Sequence, residues 1–222
     1  MASSLEVSFA GQALVLDADL ALYWPAESLL VVSDLHLEKS TFLAQFGSAV
    51  APYDTVDTLE RLAALIARYQ PRTLLLLGDT FHDRLAWERL QDETRAKLLS
   101  ICQSVEHCCF IEGNHDLGVT LDPSLCFSEN YVRSGILFSH EPALPLMPQV
   151  IGHFHPKVST SLRGHRLSGK CFAMTEHLLV MPAFGSFTGG LDLSDEVFLR
   201  LAGDSSFQPF LVYRREIARL VR

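Results

Sequence analysis

The sequence predicts an α/β fold built on two sheets. Three observations carry that reading. All-apolar runs of strand length stand at 29–32, 73–77 and 108–111, helix-periodic segments separate them, and short strands follow one another through the second half. A run without alternation marks a strand buried on both faces, which is the habit of parallel strands covered by helices.

In chain order, Leu5, Val7 and Phe9 alternate with polar neighbours, Gly11-Gln12 marks a turn, and Leu14, Leu16, Leu20 and Leu22 continue the alternation. This predicts antiparallel strands. After the buried strand 29–32 comes a helix over 54–70. Its inward face is Val56, Leu59, Leu62, Ala63, Ile66 and Tyr69, with Asp54 as N-terminal cap and Pro71 as stop. The strand 73–77 leads to a second helix over 85–102, with Trp87, Leu90, Thr94, Leu98 and Ile101 inward, and then to the strand 108–111. Further strands are expected at 136–138, 150–151, 172–174, 178–181 and 210–213, with no long helix among them. No Pro/Gly-rich linker separates the halves, so residues 1–222 read as one domain with two sheets.

Of the 222 residues, 48% are hydrophobic and 20% charged, the mix of a soluble globular chain. No apolar stretch is long enough to span a bilayer. The N-terminus lacks a basic segment followed by an apolar one, so no signal peptide is expected. The net charge of −8 disfavours a protein that coats nucleic acid, yet leaves room for a site that holds cations. The five cysteines, Cys102, Cys108, Cys109, Cys126 and Cys171, are odd in number and lack CxxC spacing. They read as small buried hydrophobes in a reducing, cytoplasmic protein.

Chemistry gathers at strand ends. The buried strands run into Asp34-x-His36, Gly78-Asp79-x-x-His82-Asp83, Gly113-Asn114-His115-Asp116, Ser139-His140 and Gly152-His153-Phe154-His155, which hold six of the nine histidines. Ligands of open α/β sheets bind outside the carboxyl ends of the strands, so these clusters should converge. Nitrogen and carboxylate donors without sulfur suit Mn, Fe or Zn. The donors are too many for one ion; two ions sharing a bridging carboxylate would use them. The glycines ahead of Asp79, Asn114 and His153 read as close-approach or turn positions.

The ordered motifs between residues 34 and 155 resemble the calcineurin-like metallophosphoesterase superfamily. More narrowly, Ser33-Asp34-Leu35-His36-Leu37-Glu38-Lys39, Gly78-Asp79-Thr80-Phe81-His82-Asp83 and the segment 182–190 (PAFGSFTGG) resemble the bacterial ligase-associated DNA damage response phosphoesterase/endonuclease family. The resemblance implies a four-layer α/β/β/α sandwich of two mixed sheets. It implies a binuclear metal-dependent phosphodiesterase or endonuclease acting on DNA in repair, with repair proteins as partners and no membrane. The two ions would be divalent, Mn²⁺ first, with Fe, Zn or Ni as alternatives. Carried over by motif, Asp34, His36 and His155 hold one ion, Asn114, His140 and His153 the other, and Asp79 bridges them. His115 faces the substrate as general acid, and Asp116 orients it.

The remaining residues carry smaller expectations. His82 and Asp83 would support the metal ligands. Arg84 resembles the phosphate-binding arginine of phosphoprotein phosphatases, one residue later in the chain. Lys39 and Lys157 would meet a nucleic-acid backbone, and 188–190 would form a substrate-side loop or a turn. His107, His165 and His177 belong to no motif. Two other readings stay open. One is a hydrolase of nucleotides, cyclic nucleotides or sugar-nucleotide pyrophosphates, since SDLHL and GNHD also resemble the UDP-diacylglucosamine pyrophosphatases. The interval from His115 to His140 leaves little room for their helical insert. The other is a non-catalytic metal-binding scaffold like the retromer subunit of this fold, which tends to lose the histidine that stands here as His115.

Overall fold

The alternating N-terminal segment folds into three antiparallel strands, β1 (Ser4–Phe9), β2 (Gln12–Asp17) and β3 (Ala21–Trp24). The computed structural model describes residues 2–48, 53–120, 122, 125, 127–144, 147–162 and 165–220. Next come β4 (Leu29–Ser33), α1 (Lys39–Ala44), α2 (Asp54–Tyr69), β5 (Thr73–Leu77), α3 (Ala86–Arg89), α4 (Asp92–Gln103), β6 (His107–Ile111) and β7 (Phe127–Ser128). The first sheet runs in the order β1-β2-β3-β4-β5-β6-β7, and β4 to β7 pair in parallel. The second half supplies β8 (Asn130–Arg133), β9 (Ile136–Ser139), β10 (Gln149–Ile151), β11 (Lys157–Leu162), β12 (His165–Met174), β13 (Leu178–Val180), α5 (Glu196–Ala202), β14 (Gln208–Tyr213) and β15 (Glu216–Arg219). These strands form the second sheet, β15-β14-β12-β13-β10-β9-β8, with β11 paired on β12. Within it β9, β10 and β13 are parallel and the other pairings antiparallel.

Three apolar cores make the four layers. Leu14, Val31, Leu77, Phe138, Phe172 and Phe210 meet between the sheets. Leu59, Leu62, Leu76, Leu98 and Phe110 seal the first sheet against α2 and α4. Val180, Leu211, Phe198 and Phe207 seal the second against α5. Burying each such side chain stabilises by about 1.5–3 kcal/mol, and four of the five residues of β4 and of β5 are aliphatic and buried on both faces. The predicted α/β/β/α architecture of two mixed sheets is therefore the observed one. No helix among the described residues is long and apolar enough to cross a membrane.

Four local expectations need correction. The helix expected over 85–102 is two helices, because Leu90 (ψ 129°) and Gln91 (ψ 149°) are extended and break it. Asp54 does not cap α2; it lies inside the first turn, and its carboxylate accepts from the Ser40 amide (3.1 Å) and hydroxyl. Val56 is 41% exposed, and the buried stripe is instead Thr55, Thr58, Leu59, Leu62 and Leu65. The threonines tolerate burial because Thr55 Oγ1 accepts from the Glu38 amide (2.8 Å) and Thr58 Oγ1 from the Ser186 amide (3.1 Å). The second half also holds the strands β8, β11 and β15 and the seven-residue α5, whose N-cap Asp195 accepts from the Val197 amide (3.0 Å). Cys102 and Cys171 pack in the cores, Cys108 and Cys109 are partly buried, and Cys126 lies outside the described residues.

Candidate metal centre

The carboxyl ends of β4, β5 and β6 in the first sheet meet those of β9 and β10 in the second, so the five sequence clusters converge. Glycine is required where they touch. A Cβ on Gly78 would lie 2.0 Å from His140 Nδ1, one on Gly113 2.2 Å from the Asp79 amide nitrogen, and one on Gly152 2.0 Å from Ser33 Oγ. Five of the seven candidate ligands have left-handed backbones: Asp34 (φ 54°), His36 (46°), Asp79 (47°), His153 (67°) and His155 (47°). Each costs about 1–3 kcal/mol for a residue with a side chain, and such costs concentrate at functional sites. These turns let the chain leave each strand and aim its side chain back across the strand ends.

Two donor groups result. Asn114 Oδ1, His140 Nε2 and His153 Nδ1 form a triangle with all three edges 3.1 Å. Three mutual hydrogen bonds cannot be satisfied in so tight a triangle. It matches one face of an octahedron around an ion with bonds of about 2.2 Å. In the second group His155 Nε2 lies 3.1 Å from Asp34 Oδ1 and 3.3 Å from His36 Nε2. Asp79 Oδ2 faces both, at 3.7 Å from His36 Nε2 and 3.4 Å from His140 Nε2. Its other oxygen accepts from the His115 amide (2.9 Å). The seven residues thus fit two divalent cations, with Asp79 between them.

The electrostatics favour cations. Burial penalises the Asp34 and Asp79 carboxylates, yet His155 and His140 respectively outweigh it; Asp34 is held below the usual range and Asp79 at about 2. Burial pushes His36 down to about 3 and lowers His153, which leaves neutral imidazoles, the ligating form. Burial also works against charge on His140, but its contact with Asp79 and the field of Asp34 raise it to about 8. Two buried carboxylates thus stand beside the neutral imidazoles of His36 and His153, an arrangement whose negative charge a cation would neutralise.

His36, His82 and His115 form a third close group, without a carboxylate. The His82 and His115 rings stack at 5.1 Å, and His36 meets both edge-on. His115 Nδ1 lies 2.7 Å from the His82 carbonyl oxygen. A carbonyl only accepts, so Nδ1 carries the proton. Asp116 is not the residue that orients this ring. Its buried carboxylate accepts from the amides of Phe81 (2.9 Å), Gly113 (3.0 Å) and Thr80 (3.2 Å), joining the β5 and β6 loops. Burial pushes its carboxyl up to about 7 despite those donors. Asp116→Asn should place an amide N–H₂ against backbone N–H groups. We expect a loss of about 1–3 kcal/mol, read as a melting temperature several degrees lower in calorimetry.

Asp83 turns away from the centre to a two-pronged pair with Arg89 (Nη1 to Oδ1 2.9 Å). Arg84 is exposed. Lys39 is half-buried and lines a groove of about 390 Å³ with His153, Phe154, His155, Gly189 and Gly190. Gly189 and Gly190 of the 188–190 segment line this groove, and Lys157 packs along Gly190. His107 and His177 are exposed. Sequence reasoning missed Arg61 and Lys170, which hold the 182–190 segment from below; both look like ordinary solvent-facing cations on their elements.

The sequence model of the calcineurin-like phosphoesterase family matches residues 28–174. The crystal structure of the nuclease MPE of Pseudomonas putida is similar at 32% identity and a TM-score of 0.77, over 98% of this chain and 100% of that one. YfcE, a phosphoesterase from E. coli, is similar at 14% identity and a TM-score of 0.44, over 86% of this chain and 97% of that one. A comparison with curated proteins finds no match. The chain belongs to the calcineurin-like phosphoesterase family and is a metal-dependent phosphoester hydrolase.

Proposed function

We propose that this chain is a binuclear phosphodiesterase that cuts nucleic acid, with DNA as substrate and Mn²⁺ as the ion. The observation that carries the metal part is the pair of donor groups sharing Asp79. Asp34, His36 and His155 would hold one ion, and Asn114, His140 and His153 the other. Bound there, the ions supply Lewis acidity to the phosphoryl oxygens and acidify water.

The chain's own residues do the rest. His115 keeps its Nδ1 proton on the His82 carbonyl, which leaves Nε2 for the substrate; as the doubly protonated imidazolium, the ring would give its Nε2 proton to the leaving oxygen and end as the neutral Nδ1–H imidazole. Asp116 fixes the loops on either side of His115. Lys39 supplies positive charge in the groove beside His153 and His155, where a flanking phosphate would lie. Nucleic acid as substrate is supported by that groove and by the similarity to a nuclease. A repair role is supported by the resemblance of the 33–39 and 182–190 segments to a damage-response family. The core shared between the sheets supports reading residues 1–222 as one domain.

The test is turnover with Mn²⁺ on DNA, bis-p-nitrophenyl phosphate, p-nitrophenyl phosphate and a sugar-nucleotide pyrophosphate. We expect diesters to be cut faster than the monoester. DNA cleavage should fall steeply with added salt, as displaced counterions require. Fast cleavage of the pyrophosphate with DNA untouched would replace this reading by that of a small-molecule hydrolase.

A further inference from the structure

The segment 182–190 (PAFGSFTGG) has no group in either donor set, yet it is pressed against the first of them. Ala183 bridges Ser33 in parallel, the Phe184 amide donates to the Ser33 carbonyl (2.7 Å), and the Gly185 amide donates to the carbonyl of Asp34 (3.1 Å). A Cβ on Gly185 would lie 2.2 Å from the Leu35 carbonyl oxygen, and one on Gly190 2.2 Å from that of His155. The segment therefore lies directly on the backbone of Asp34 and His155. No hydrogen bond joins it to Asp79, Asn114, His140 or His153 among the described residues.

Besides these backbone bonds and the Ser186 contacts to α2, a pair of cations from different layers grips the segment. Lys170, on β12, gives all three of its ammonium hydrogens to it: Ala183 O at 2.7 Å, Gly185 O at 3.0 Å and Thr188 Oγ1 at 2.7 Å. Thr188 Oγ1 also donates to the Gly185 carbonyl (2.9 Å), closing the turn around the ammonium. From α2, Arg61 donates to the Phe184 carbonyl (2.9 Å) and lies 4.3 Å over the Phe184 ring. Three successive carbonyls are thus taken by two cations. Burying an ammonium is costly unless every hydrogen is paired, and here each one is. Burial still lowers Lys170 to about 7.

We infer that Lys170 is a positioning residue for the Asp34–His36–His155 metal site: through 183–190 it sets the backbone from which Asp34 and His155 project, and so the affinity of that site alone. The inference rests on the two-ion reading above. Outer partners of metal ligands are typically worth about 10–100-fold in affinity.

The test is Mn²⁺ titration by calorimetry in two backgrounds. His153→Ala cripples the second site and leaves the first; His155→Ala does the reverse. Adding Lys170→Met should raise the dissociation constant about 10–100-fold in the His153→Ala chain. In the His155→Ala chain, where the first site is already crippled, it should change it by no more than about twofold, because Lys170 and the 183–190 segment make no hydrogen bond to Asn114, His140 or His153 among the described residues. Thermal melting of each variant checks the fold. Should Lys170→Met not fold, Thr188→Val removes one of the three acceptors and must show the same selectivity at smaller size. An unchanged affinity in the His153→Ala chain, or an equal loss in both, overturns the inference. If the unmutated chain binds two Mn²⁺ while this selectivity is missing, the inference alone falls. If the unmutated chain binds none, the two-ion reading falls and takes the inference with it.

Discussion

Replacing Asp79 by asparagine should nearly abolish phosphodiester hydrolysis. Asp79 Oδ2 is the donor that faces both groups, 3.7 Å from His36 Nε2 and 3.4 Å from His140 Nε2. An amide supplies no negative charge between two cations, and an N–H₂ turned inward would repel them. Transition-state stabilisation worth several kcal/mol depends on those cations, so turnover should drop by about 10³-fold or more. The fold should survive, because an amide can keep the oxygen that accepts from the His115 amide. Metal content by mass spectrometry, taken with the rate, checks the cause: the variant should retain fewer than two ions per chain. Full metal content with the rate lost would move Asp79 from metal bridge to some other role.

The second large effect belongs to His115. His115→Ala should keep both ions and lower turnover on DNA by about 10²–10⁴-fold, the usual worth of a positioned proton donor. The loss should depend on the leaving group. An alkoxide must be protonated as it departs, whereas p-nitrophenolate hardly needs a proton. The variant should therefore be crippled on DNA and far less affected on bis-p-nitrophenyl phosphate. A packing role for the ring, which stacks on His82 at 5.1 Å, would instead depress both rates together and lower the melting temperature.

Much of this was legible in the sequence because parallel strands advertise themselves. The all-apolar runs in β4 and β5 could only be buried on both faces, and the polar clusters after them had to lie at one edge of the sheet. What stayed hidden has physical reasons. The break at Leu90-Gln91 leaves the apolar periodicity intact, so the pattern read as one helix. The strands β8, β11 and β15 are edge or hairpin strands with polar faces, and they lack the signal that burial writes. The sequence sets Asp116 beside His115 and suggests that pairing, whereas its oxygens serve three amides brought in by the β5 and β6 ends. Left-handed backbone at Asp34, His36, Asp79, His153 and His155 leaves no trace in residue type, since none is glycine. Lys170 leaves no trace for the same kind of reason: one lysine between the polar start and the apolar end of β12 gives no hint that three acceptors from a distant loop surround it.

On the proposed function, two ions share Asp79 at the meeting point of the two sheets. Anomalous diffraction from crystals grown with Mn²⁺ tests it most directly. We expect two peaks per chain, one among Asp34, His36, His155 and Asp79, the other among Asp79, Asn114, His140 and His153. A single peak, or a peak at the His36–His82–His115 group with Asp79 bound to neither ion, would contradict it.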